Sequence, residues 1–286
     1  VGNFVSTIPF LPKITSVVGR NYISFVFTNV PETIAFRNRN YGPFWEPGVY
    51  QGYLIVALMF CLFYKKKQTP WEILLYSITI VTTYSTTGIT ALAAVMAAYL
   101  LTKQKGKKRF QMKCFFTLIG FAGILYIANN QEIWDLLFKK VEMGTESASF
   151  SSRWNAIAGN LTIAFQYPFF GAGPNRTARL IQEYVKTVDQ TGTFFNVNTI
   201  LVHFSVFGIL IGIYFVWKVF LFAQRLANKW ILTELLLLAA FVMILSGENL
   251  VYSLFFNLIF FCGPPSFSEN TQKNYRQRKL ERYDEQ

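Results

Sequence analysis

The chain is poor in charged side chains and in the residues that bind metals. Only 15% of its 286 residues are Asp, Glu, Lys or Arg, whereas soluble domains carry about a quarter. It has one histidine, His203, and no tight His/Cys/Asp cluster, which argues against a zinc site. The three cysteines stand alone in apolar runs and are interpreted as small buried hydrophobic side chains. CxxC, P-loop and GxGxxG patterns are absent, so no metal and no cofactor are predicted.

What the chain has instead is apolar sequence interrupted by clusters of positive charge. Hydrophobic residues make up 52% of it, and the net charge is +12. The lysines and arginines lie in clusters between apolar runs, where they act as topology signals. We therefore expect a lipid bilayer as partner and no nucleic acid.

The apolar runs predict about seven transmembrane helices. Residues 71–101 are too long for one span of a ~30 Å bilayer core and are broken by Ser85-Thr-Thr-Gly88, so they form either one tilted helix or a tight hairpin. Lysines on both sides of this run favour the hairpin, because they place both of its ends on one side. The other predicted spans are Val49–Tyr64, Phe110–Ile127, Asn198–Leu221, Trp230–Leu245 and Leu250–Phe261.

The sequence thus predicts an all-α polytopic membrane protein with a large external loop that carries amphipathic helices. The predicted regions are an external loop (1–48), four spans (49–129), the large external loop (130–197), three spans (198–265) and a cytoplasmic tail (266–286). The positive-inside rule places the loops 1–48 and 130–197 together on the external face. Because the sequence opens in a loop, we expect further spans to precede it in the whole protein.

The large external loop contains a predicted amphipathic helix over residues 152–167. Its apolar stripe consists of Trp154, Ile157, Ala158, Leu161 and Phe165. Lying on the outer leaflet, this helix would hold Arg153 at the depth of the lipid phosphates. The alternative is a helix that only seals the bundle. A second helix is predicted over 176–188.

Several short motifs, taken in order, resemble the O-antigen ligase/polymerase superfamily. They are Arg39-Asn-Tyr-Gly42-Pro-Phe44-Trp-Glu46-Pro47-Gly48, Ser85-Thr-Thr-Gly88, Ser152-Arg153-Trp154, Pro168-Phe-Phe-Gly171-Ala-Gly173 and Asn198-Thr-Ile-Leu201. The resemblance implies a multi-pass enzyme of the bacterial plasma membrane that joins glycan units carried on polyprenyl diphosphate, outside the membrane. Ligases of this kind have a histidine just before the asparagine that opens the span after the large loop. Val197 stands there, so the resemblance favours a polymerase of capsular, exo- or O-antigen polysaccharide.

A diphosphate leaving group needs fixed cations, and arginine binds phosphate oxygens bidentately. Glu46 is the first candidate for a general base, and Glu248 ranks below it. The alternatives are arginines that only snorkel to the headgroups and a Glu46 that only pairs with an arginine of its own loop. The candidate diphosphate-binding residues are Arg39, Arg153, Arg176 and Arg37.

Four further residues are predicted to support the site. Gly171 and Gly173 would allow a tight turn or a close backbone approach to substrate. Asn198 and His203 lie in or near the membrane, where polar residues serve function or bond neighbouring helices.

Other functions remain open at this point. They are transfer to a different acceptor by a ligase, a transporter or flippase of lipid-linked oligosaccharides, and a non-catalytic assembly subunit. A chain-length regulator and other polysaccharide assembly proteins are expected partners of a polymerase.

Overall fold

The computed structural model describes residues 12–15, 21–25, 28–31, 39–65, 69–102, 148–188, 197–227 and 230–262, with a few isolated positions between 110 and 129. Most of the predicted span 110–127, Arg37 and the tail 266–286 lie outside these residues.

Helices dominate the described part of the chain, as the sequence predicts. Pro47 begins the first helix at a position where its missing N–H costs no hydrogen bond. That helix runs on through a π-helical turn, Phe60–Tyr64. The helices are α1 (Pro47–Met59), α2 (Pro70–Thr82), α3 (Thr86–Leu101), α4 (Ala148–Gln166), α5 (Pro174–Val188), α6 (Thr199–Phe207), α7 (Ile209–Ala227), α8 (Ile231–Gly247) and α9 (Leu254–Cys262).

A small antiparallel sheet lies within the segment that the sequence analysis treated only as a loop. Its strands are β1 (Lys13–Thr15), β2 (Asn21–Phe25) and β3 (Thr28–Pro31), in the order β1-β2-β3. Ile23 pairs with Lys13 on one side and with Val30 on the other. Ile23 and Val30 are both buried, so β-branched residues stabilise these short strands by packing.

The hairpin predicted within residues 71–101 is confirmed. Helices α2 and α3 are joined by a turn at residues 83–85, in which Tyr84 has a φ of +50°. The side chain of Ser85 accepts a hydrogen bond from the Gly88 N–H and caps α3. The turn therefore precedes the Ser-Thr-Thr-Gly motif, most of which belongs to the first turn of α3.

The single long span predicted over 198–221 is wrong, because α6 and α7 fold back on each other at Gly208. The His203 ring stacks on Phe215 with 3.7 Å between centroids, whereas one continuous helix would separate these residues by about 18 Å. A β-carbon added at Gly212 would lie 2.5 Å from the Phe204 ring, which shows how closely the two helices approach. Gly208 makes the reversal possible with a φ of +92°.

Two helices of the described residues are long and apolar enough to cross a membrane. They are the continuous helix from Pro47 to Tyr64 and the helix from Ile209 to Ala227. Three more helices, α2, α3 and α8, are apolar but shorter. The arrangement with seven spans therefore remains a prediction.

The core lies among α1, α3, α7, α8 and α9. Phe222, Phe241 and Phe260 meet edge to face within it, with centroids 5.4–5.6 Å apart. At one end of this bundle the first turns of α1 and α3 meet the last turn of α8, because small residues there allow close approach. A β-carbon added at Gly247 would lie 3.2 Å from the Thr87 side chain.

Candidate functional site

The carboxylate of Glu248 lies directly on the first turn of α1. A β-carbon added at Gly48 would lie 1.6 Å from Glu248 Oε1, so only glycine leaves room for this carboxylate. The N–H groups of a first helical turn favour a negative charge. Glu248 itself follows α8 as its C-terminal cap and lies outside the helix.

Four charged side chains influence one another at this place. Burial raises the pKa of Glu248 to about 8, and the neighbouring Glu46 raises it further, while Arg153 and Arg39 act in the opposite direction. Charges on a protein affect each other in this way only over short distances. The fold thus brings Arg39, Glu46 and Arg153, three of the predicted site residues, to the carboxylate of Glu248.

Arg39 is held against the turn between α2 and α3. Its Nε donates to the Thr83 carbonyl at 3.1 Å, and the next residue, Asn40, donates from its N–H and its side chain to Thr82 at 3.0 Å. Glu46 is the N-terminal cap residue of α1 and has extended backbone. Among the described residues Arg39 and Glu46 form no ion pair, so this geometry does not favour the alternative in which Glu46 only pairs with Arg39.

Arg153 reaches the site from α4, which is anchored on α6. Ser205 Oγ donates to Asn160 Oδ1 at 2.6 Å, and Asn160 Nδ2 donates to the Ala156 carbonyl at 2.7 Å. Both amide groups are buried, so this pair fixes how α4 lies on α6. Arg153 precedes Asn160 by two helical turns and shares its flank of the helix.

The backbone of Glu248 is fixed by the start of α6. Thr199 donates to the Glu248 carbonyl from its N–H at 3.1 Å and from its Oγ1 at 2.6 Å. The same Oγ1 accepts from the Leu250 N–H at 2.8 Å. Asn198 caps α6, its Oδ1 accepting from the Leu201 N–H at 3.0 Å. Asn198, a predicted supporting residue, therefore lies at the edge of the site and shapes the segment that holds Glu248.

Gly171 makes a close backbone approach, but to another part of the chain. A β-carbon added at Gly171 would lie 2.3 Å from the Val206 carbonyl oxygen. The turn 168–173 fits into the junction of α6 and α7 and satisfies main-chain groups that the reversal leaves free. The bonds are Ala172 N–H to Ser205 O (2.9 Å), Gly173 N–H to Val206 O (3.0 Å) and Ile209 N–H to Pro168 O (2.8 Å). We call this contact the turn–junction clasp.

The remaining predicted residues lie away from Glu248 or outside the described part. His203 is buried, with Nδ1 2.8 Å from the Thr199 carbonyl oxygen and its ring on Phe215, so it packs α6 against α7. Arg176 lies over the Tyr167 ring, 4.5 Å from the centroid, and donates to the Tyr167 hydroxyl at 2.7 Å. Arg37 falls outside the described residues.

The sequence analysis did not single out Gln51, one turn after Gly48 on α1. Its side chain is fully buried, and neither Nε2 nor Oε1 has a hydrogen-bond partner. A β-carbon added at Gly88 on α3 would lie 2.9 Å from Gln51 Oε1. A glutamine within an apolar helix was the available signal, but its lack of partners is visible only in the fold.

An apolar face borders the helix that carries Arg153. The buried side of α4 contains Ala156, Asn160 and Ile163, and Ile163 packs against α5. The opposite side exposes much of the predicted stripe, and the following turn continues it. The exposed fractions are Trp154 60%, Leu161 38%, Phe165 74%, Phe169 72% and Phe170 90%. So large an apolar face is typical of contact with lipid or with another protein.

Comparison of the chain with protein-family models, with curated proteins and with solved structures found no match. The resemblance drawn from the short motifs therefore stays a prediction.

Proposed function

We propose that this chain polymerises glycan repeat units carried on polyprenyl diphosphate, as a glycosyltransferase of the O-antigen ligase/polymerase type. One observation supports the proposal above the others. Two arginines from separate segments, Arg39 and Arg153, come together with two carboxylates, Glu46 and Glu248, at one end of an apolar helical bundle.

The arginines suit the donor substrate. A diphosphate that leaves an anomeric carbon gains negative charge as the bond breaks, and guanidinium groups stay charged at any physiological pH. Arg39 is fixed by its bond to the Thr83 carbonyl, whereas the Arg153 side chain is exposed on α4. One arginine would position the diphosphate, and the other would close on it from the large loop.

The carboxylates suit the acceptor. In the proposed step an acceptor hydroxyl oxygen forms a bond to the anomeric carbon, and the bond from that carbon to the phosphate oxygen breaks. Polyprenyl diphosphate leaves with the electron pair, and the hydroxyl proton passes to a carboxylate. Because a general base works best when its pKa is near the working pH, the raised pKa of Glu248 makes it the better proton acceptor of the pair. Glu46 would then raise the proton affinity of Glu248 by its charge.

The apolar surroundings suit a lipid-linked substrate. The exposed side of α4 and the turn at Phe169 and Phe170 would lie in the outer leaflet, with Arg153 beside them at phosphate depth. In this arrangement the chain crosses the bacterial plasma membrane about seven times, with the large loop external and the C-terminus cytoplasmic. A chain-length regulator and other assembly proteins would be its partners.

Reconstituted full-length protein supplied with lipid-diphosphate repeat units tests the proposal. We expect released polyprenyl diphosphate and glycans of many repeat units. Arg153→Ala should lower the rate by roughly 100-fold, as for loss of one transition-state donor. Arg179→Ala removes an exposed arginine from α5 and serves as the matched control.

The product lengths separate the related functions. Glycans that gain a single unit on a foreign acceptor would indicate a ligase. No transfer at all, or undiminished growth with Arg153→Ala, would refute the catalytic assignment.

A further inference from the structure

Gln51 is the only buried side chain of the described residues whose polar atoms all lack a partner in the structure. Leaving a buried amide unpaired destabilises a fold, while an apolar residue of the same shape carries no such cost. Gln51 is surrounded by α1, α3 and the core, where leucine or methionine would pack without penalty. The amide therefore needs an explanation other than stability.

The position of Gln51 on α1 directs it toward Glu248. Residues three apart on a helix have β-carbons about 5–6 Å apart, and helical side chains lean toward the N-terminus. The neighbour three residues earlier is Gly48, which has no side chain. Glu248 Oε1 occupies that place, 1.6 Å from where the Gly48 β-carbon would be. A change of rotamer brings the Gln51 amide within hydrogen-bond distance of this oxygen.

Gly88 provides the room for such a change. Gln51 Oε1 lies against the α-carbon of Gly88, at a place where any larger residue would collide with it. Gly48 and Gly88 thus leave space on both sides of one amide. One space holds the carboxylate of Glu248, and the other holds the amide when it is turned away.

We propose that Gln51 is a positioning residue whose amide donates a hydrogen bond to the Glu248 carboxylate when that carboxylate is ionised. The bond holds the carboxylate oxygen on Gly48 and leaves the second oxygen directed at the acceptor hydroxyl. When Glu248 is protonated, the amide turns to Gly88. The catalytic meaning of this bond rests on the proposed function, whereas the bond itself does not.

A double-mutant cycle on the full-length protein tests the bond without any substrate. Gln51→Met and Glu248→Gln, alone and together, are melted at pH 6 and at pH 9.5. A bond to the ionised carboxylate lowers the pKa of Glu248, so its loss should raise that pKa by about one unit. Gln51→Met should therefore melt at or above the wild-type temperature at pH 6 and below it at pH 9.5. In the Glu248→Gln background the difference should no longer depend on pH.

Asn160→Leu is the matched control, since Asn160 is a buried amide that has its partners. It should lower the melting temperature equally at both pH values. Should Gln51→Met fail to fold, Gln51→Asn retains an amide too short to reach Glu248 and gives the same pH dependence.

Equal effects of Gln51→Met at both pH values, or additive effects of the two substitutions, would overturn the inference. Where the enzyme is active, the acid limb of the rate profile should also move up by about one pH unit in Gln51→Met. If no transfer is ever observed, the proposed function fails, and the melting cycle still decides whether Gln51 binds Glu248.

Discussion

Replacing Gly171 with alanine tests the turn–junction clasp. Gly171 has a φ of +67°, and its missing β-carbon faces the Val206 carbonyl oxygen. Gly173, two residues on, has a similar φ of +76°, but nothing lies within 4 Å of its missing β-carbon. Gly173→Ala is therefore a control that carries the backbone cost and not the contact.

The magnitude follows from these two geometries. Placing an L-residue in the left-handed region costs about 1–2 kcal/mol, which is the whole effect expected at position 173. At position 171 the β-carbon would also lie 2.3 Å from Val206 O, a main-chain atom that cannot rotate aside. The turn must move by about 1 Å, and this breaks the bonds to Ser205 O and Val206 O, each worth about 1 kcal/mol. Gly171→Ala should thus destabilise the protein by about 3–4 kcal/mol.

The assay is thermal unfolding of the full-length variants in one detergent, followed by the fraction that remains monodisperse after heating. One kcal/mol shifts the melting temperature of a mid-sized protein by roughly 2–4 °C. Gly171→Ala should then melt roughly 4–8 °C below Gly173→Ala. Equal melting temperatures for the two variants would refute the clasp, because they would leave only the backbone cost that both share.

Four further predictions concern the site. Burial raises the folded pKa of Glu248 above its usual 4.5, so the folded chain keeps a proton that the unfolded chain releases; the melting temperature should fall as the pH rises from 4.5 to about 8, and a Glu248→Gln variant with the same slope would contradict this. Gly48→Ala should displace the carboxylate and lower transfer at least about ten-fold while the fold persists, since one pKa unit or more of its proton affinity depends on this placement. Thr199→Val should cost about 1–3 kcal/mol by leaving a main-chain N–H unpaired, and Thr199→Ser, which keeps the hydroxyl, should restore most of it. In a background without native cysteines, Tyr84→Cys should be labelled from outside intact cells and Thr69→Cys only after lysis, and the reverse would invert the topology.

Local signals made part of this fold predictable. Pro47 and the polar residues from Thr82 to Ser85 interrupt apolar sequence, so the start of α1 and the α2–α3 hairpin could be placed. Charge clusters placed Arg39, Glu46 and Arg153 at one end of the bundle. Each of these inferences depends on residues that are close in sequence.

The rest depends on contacts between distant segments. Hydropathy does not distinguish one long helix over 198–221 from two that reverse at Gly208, because the reversal is completed by the carbonyl of Pro168 from another loop. Glu248 ranked below Glu46 because nothing near it in sequence indicates that it lies on Gly48. That Gln51 lacks partners is likewise a property of three helices and not of one.

The turn–junction clasp has a consequence for how this sequence could change over time. It is made of main-chain N–H and C=O groups, which every residue except proline supplies, so most side chains around it are free to drift. Only Gly171 and Gly208, where main chain touches main chain and φ is positive, tie the arrangement to residue identity. A distant protein with this architecture could therefore share little more than these two glycines at a suitable separation. Searches that score overall similarity would pass over it, and searches for the spacing would find it.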